Sequence, residues 1–225
     1  MRARPPRSRT LAWSVMASVA LFAALMGIGI VAYPGGTMMD PRARGFDIAR
    51  NFMCELVNPV AVNGEPNPVG SVAATVGMVV LILGVGVFWF LVPALFPERH
   101  GLGLLVRVLG GVGFASLLVI PVTTWLQLAT LHYLAIFGAL VPSVLAALIA
   151  SWGLAVGKGT RRLAVLGGVV LVTAVVDGIL YGIHVVQGGT PPVLLPALQR
   201  VATVLLLLWL LAVARVVLRT IPRPP

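Results

Sequence analysis

The sequence predicts an all-α, polytopic transmembrane helix bundle of about six spans, with both termini cytoplasmic. Three observations carry that prediction. Of 225 residues, 59% are hydrophobic and 10% charged, against about 25% charged in an ordinary soluble domain. Apolar runs of roughly the 20 residues that cross a ~30 Å hydrocarbon core recur along the chain. Arginine and lysine gather in alternate connections between those runs, as the positive-inside rule requires.

Residues 1–10 form a basic cytoplasmic tail with Arg2, Arg4, Arg7 and Arg9. The run 11–33 is too long for a signal-peptide h-region and lacks a small-residue cleavage site, so it is expected to be an uncleaved first span. The other spans are about 69–96, 102–120, 131–156, 163–186 and 196–218, all within one domain over 11–218. Without water to satisfy the backbone, each must be helical. Arg99 with Arg107, the trio Lys158, Arg161 and Arg162, and the closing Arg215, Arg219 and Arg223 fall on one side only if there are six spans. Residues 219–225 are then a second cytoplasmic tail. The connections 121–130 and 187–195 hold no basic residue, so they and loop 34–68 are expected outside. This places the chain in a bacterial cytoplasmic (inner) membrane.

Loop 34–68 is expected to be an extracytoplasmic lid. Its second part is rich in turn formers: Asn58-Pro59, Asn63-Gly64, Pro66 and Asn67-Pro68. Residues 45–58 are expected to form a short amphipathic helix, with Phe46, Ala49, Met53, Leu56 and Val57 opposite Asp47, Asn51, Cys54, Glu55 and Asn58. Its polar face can point into a site or into water.

The net charge of +10 is scattered over short clusters rather than along one groove-filling element, so no nucleic-acid partner is expected. Membrane lipids are the expected partners. Cys54 is the one cysteine, which excludes an intramolecular disulfide. Gly178 and Gly182 make a GxxxG step in the fifth span. Such a step serves packing within the bundle or a homodimer.

Ionisable residues inside a membrane are costly and mark candidate sites. Asp177 is the only acid within a span, followed at i+4 by Tyr181 and at i+7 by His184. His132 and Tyr133 open the fourth span, Gln199 and Arg200 lie in the first turn of the sixth, and Thr123, Thr124 and Gln127 follow the third. The outer half of the bundle is therefore expected to be polar and the inner half apolar. The expected pocket residues are Asn51, Glu55, His132, Asp177, Tyr181 and Arg200. Three chemistries suit them. Arg200 can pair with Asp177 or Glu55 as a structural ion pair. Arg200 can instead meet an anionic ligand such as a lipid headgroup in an outward-facing pocket. Alternatively His132, Asp177 and His184 can hold zinc for hydrolysis of a lipid-like substrate at the outer leaflet, although no HExxH-type spacing places them. No cofactor is expected outside that alternative.

Several short segments resemble the six-helix membrane family known as domain of unknown function 998. They are Tyr33-Pro34-Gly35-Gly36, Asn51-Phe52-Met53-Cys54-Glu55-Leu56, His132, Leu198-Gln199-Arg200-Val201 and Trp209-Leu210. The family usually has Ser-Asp-Leu where this chain has Cys54-Glu55-Leu56. The resemblance implies a six-helix fold and topology and supplies no activity.

Overall fold

The computed structural model describes residues 7–123, 125–157 and 159–220. Of the polar residues singled out above, Arg2, Arg4, Thr124, Lys158, Arg223 and the side chain of Gln127 lie outside the described residues. Six helices are long and apolar enough to cross a membrane, and no β-strand occurs among the described residues. They are α1 Arg7–Ala32, α2 Pro68–Leu91, α3 His100–Leu117, α4 Trp125–Ala155, α5 Arg161–Gln187 and α6 Leu194–Thr220.

Proline sets several of the boundaries. Pro68 opens α2 at a position where a missing N–H costs nothing. Pro93 tightens the exit of α2 into a 3-10 turn over Val92–Leu95, and Pro121 sits in another over Ile120–Val122 after α3. Leu128 departs from helical geometry (φ −135°, ψ 48°), so the regular part of α4 starts beyond it. Helices α4, α5 and α6 begin a few residues before their apolar runs, as α1 does, whereas α2 and α3 stop short of theirs and pass into the 3-10 turns.

Each helix packs on its neighbours in chain order and α6 closes back on α1, with α2 the most enclosed of the six. The outward faces are Val, Leu and Ile: Val31 and Val186 are each 88% exposed. Side chains of this kind need lipid as their solvent. The exposed Trp13 and Trp152 both lie toward the end of the bundle where the chain starts. That is where an interfacial aromatic belt would sit. Phe88, Trp89 and Trp209 make an edge-to-face cluster with centroids 4.9–6.3 Å apart, and the Trp209 indole N–H donates to the Leu163 carbonyl at 3.1 Å.

Small residues allow the close contacts. A side chain at Gly178 would meet Leu140 and one at Gly182 would meet Phe137, both on α4. The GxxxG face is thus occupied within the chain, and a homodimer through it would have to displace α4.

The loop between α1 and α2 folds over one end of the bundle, hereafter the lid end. It contains one 3-10 turn, Met53–Val57, rather than a helix over 45–58. Side chains compete with the helical ladder here. The Asp47 N–H donates to the Asn51 side-chain oxygen, and the Asp47 carboxylate accepts from the Ala49 and Arg50 amides.

Candidate functional site

Beneath the lid, the loop is built on buried polar side chains. Tyr33, at the end of α1, donates its hydroxyl to the Gly36 carbonyl and accepts from the Val62 amide. Asn67, just before α2, donates to the carbonyls of Leu56 and Asn58, each at 3.0 Å. Gly36 takes φ +86° with the Asn63 and Val62 backbone against its Cα, so a side chain there would be both strained and blocked.

Asn51 and Glu55 are fully buried. The Asn51 amide donates to the Gly36 carbonyl at 2.7 Å and to the Glu55 carboxylate, while the Asn51 carbonyl accepts from the Arg200 guanidinium. Arg200 also donates to the Pro196 carbonyl at 2.6 Å and lies 5.3 Å from the centroid of the Phe46 ring. One residue along, the Gln199 oxygen accepts from the Met53 amide at 3.0 Å. These bonds fix the lid to α6.

The expected ion pair therefore takes a different form. Among the described residues the one carboxylate–cation pair within 4.0 Å is Arg50–Asp47, at 3.8 Å. Arg200 reaches Glu55 only through Asn51, and Asp177 does not pair with it. Main-chain carbonyls of Pro196 and Asn51 already engage the half-buried guanidinium. Burial pushes the Glu55 carboxyl up from 4.5 to about 7, against the opposing pull of the Asn51 hydrogen bond and the Arg200 charge. Among the described residues its second oxygen has no partner at hydrogen-bond geometry. Burial, with Glu55 nearby, likewise pushes the Cys54 thiol up to about 12, which leaves it a poor nucleophile.

Below the lid lies a cavity of about 400 Å³ that reaches deep into the bundle. Phe52, Met53 and Cys54 of the lid roof it, and Trp89 and Trp209 line its far part. The walls between are Leu, Ile, Val, Ala and Met from the helices. The inner half of the bundle is therefore not solid packing. The polar groups that face the cavity are few: His132, Ser143, Asp177, Tyr181, Gln199 and Thr203, with the Trp89 indole.

His132 is 1% exposed. Its Nδ1 lies 2.5 Å from the Thr123 carbonyl oxygen. A carbonyl only accepts, so Nδ1 carries the proton, and in the neutral ring Nε2 is then an acceptor. Among the described residues Nε2 has no partner, nor do the Ser143 hydroxyl and the Trp89 N–H. Tyr181 is ringed by Phe52, Tyr133 and Phe137 at centroid distances of 6.1–6.3 Å. His184 packs on the other side of Tyr181, at 6.4 Å.

Among the expected pocket residues, His132, Asp177 and Tyr181 do line the cavity, whereas Asn51, Glu55 and Arg200 form the latch beside it. His184 is not part of the lining. Among the described residues, no three His, Cys, Asp or Glu side chains converge as a metal would need, so His132, Asp177 and His184 are not gathered into one centre. Sequence reasoning passed over Trp89 and Ser143, and singled out Trp209 only among the segments that carry the family resemblance. The only available signal was the presence of N–H and O–H groups inside apolar spans, where each needs a partner.

Comparison with protein-family models, with curated proteins and with solved structures finds no match to this chain.

Proposed function

We propose that this membrane protein binds one amphipathic small molecule, with its apolar body in the central cavity and its polar head beneath the lid. The observation that carries the reading is the cavity itself. Its volume, about 400 Å³, falls in the range of roughly 300–1,000 Å³ used by small-molecule sites. Like those sites it has apolar walls and a few polar groups, here with unsatisfied hydrogen-bonding capacity at His132 Nε2 and the Trp89 N–H. Buried polar groups ordinarily find partners, and a bound molecule would supply them.

The orientation belongs to the same proposal. The lid end faces outward and the end bearing Arg7, Arg9, Arg99, Arg161, Arg162, Arg215 and Arg219 faces the cytoplasm of a bacterial inner membrane. Kinship with the domain of unknown function 998 family is proposed alongside it. Support comes from the residues carrying that resemblance, since Tyr33, Asn51, Glu55, His132, Gln199 and Arg200 all lie in the lid region. An anionic headgroup on Arg200 is no longer favoured, because that guanidinium is engaged by Pro196, Asn51 and Phe46.

The test uses the full chain in neutral-lipid nanodiscs, with Trp13, Trp125 and Trp152 replaced by Phe so that Trp89 and Trp209 report. A terminally brominated dodecyl amphiphile should quench the two tryptophans saturably. Ala202→Phe, which fills the cavity from α6, should abolish the saturable part. Quenching that stays linear in ligand, or is equal in both proteins, contradicts the proposal.

A further inference from the structure

The chemistry of the head end selects among amphiphiles. Asp177 faces the cavity from α5 and has no ion pair or hydrogen bond with any described residue. His132 Nε2, from α4, adds a second cavity-lining acceptor without a partner among the described residues, fixed in that role by the Thr123 carbonyl on Nδ1. No arginine or lysine lines the cavity among the described residues. Tyr181, one helical turn beyond Asp177, brings an aromatic ring to the lining, and Phe52 brings a second from the lid. A lone carboxylate, a histidine acceptor and aromatic faces together recognise a cation that donates hydrogen bonds. The carboxylate repels a phosphate or a carboxylate, for which no arginine or lysine among the described lining residues supplies a counter-charge.

We infer that the ligand is a hydrophobic amine, whose ammonium group pairs with Asp177 and whose apolar chain extends toward Trp89 and Trp209. This rests on the cavity-binding proposal and specifies its ligand class. The Asp177 carboxylate accepts the ammonium N–H donors, and Tyr181, one turn along α5, brings its ring to the same lining. The Trp89 N–H, at the far end of the cavity, does not contact the head.

The experiment compares three terminally brominated probes with the same dodecyl chain, an amine, an alcohol and a carboxylic acid, in the nanodisc quenching assay. The amine should bind at least about tenfold more tightly than the alcohol or the acid, the difference expected for one charged hydrogen-bonded contact. Asp177→Asn should weaken amine binding by at least about tenfold more than it weakens alcohol binding, and Asp177→Glu should retain the preference. The head-group comparison on the unmutated residue stands even if Asp177→Asn fails to fold. Saturable binding of all three probes with equal affinity overturns the amine inference and leaves cavity binding intact. Tighter binding of the acid also overturns it. Absence of saturable quenching by any probe overturns both.

Discussion

Glu55 is the residue on which the lid is most sensitive to pH. Its carboxyl is fully buried and accepts from the Asn51 side-chain amide. Burial raises its folded-state value from 4.5 to about 7. The folded state thus holds the proton more tightly than the unfolded chain does. Its contribution to stability is fully present below 4.5 and is lost as the pH rises toward about 7. A displacement of that size corresponds to on the order of 3 kcal/mol. Thermal unfolding across this window should show stability falling with rising pH, and Glu55→Gln should flatten that component. An unchanged profile in Glu55→Gln would assign the dependence elsewhere. Arg200 acts at the same scale. Arg200→Met removes two charge-assisted hydrogen bonds to the carbonyls of Pro196 and Asn51. It should cost about 2–3 kcal/mol. Cys54 gives the readout, because its thiol sits at about 12 under the lid. A membrane-impermeant maleimide should label the wild type slowly and Arg200→Met much faster, with the label arriving from the lid side of the membrane.

At the scale of elements, the six helices were legible in the sequence because lipid imposes a simple rule. Every spanning segment must be apolar and must satisfy its own backbone. Proline and the basic clusters marked where each ends. The loop was less legible. A period of 3.6 in Phe46, Met53 and Leu56 also suits a chain that turns on itself through Asp47 and Asn51 and folds into a single 3-10 turn. Periodicity does not register such side-chain competition. The glycines were ambiguous for another reason, since spacing alone does not say which helix approaches. At Gly110 the approach is by the Trp89 ring, which lies where a side chain on Gly110 would have to go. Indole is rigid, so even Gly110→Ala should force α3 away from α2. A loss of about 1–3 kcal/mol is expected. The same change would disturb the far wall of the cavity. A melting temperature equal to wild type would show that Trp89 can move aside without cost.

At the scale of the whole molecule, the polarity of the sequence located the lid end but missed the depth of the cavity. Asp177, His132 and Tyr181 stand out as polar residues in apolar helices, and all three line it. The cavity beneath them is bounded by Leu, Ile, Val and Ala that are indistinguishable in sequence from packing residues. Whether such side chains meet or leave a gap depends on helix rotation, which composition does not encode. The same arrangement explains the division of labour around Arg200 and Asp177. The arginine locks the loop to α6 through main-chain carbonyls, while the acid has no partner among the described residues at the cavity wall. The central claim is that this cavity holds a molecule, and native mass spectrometry of the full chain released from neutral detergent tests it most directly. Wild type should retain one amphipathic adduct per chain under mild activation, and Ala202→Phe, folded to the same extent, should lose it. Adducts equally abundant in both proteins, or present in neither, would contradict the account.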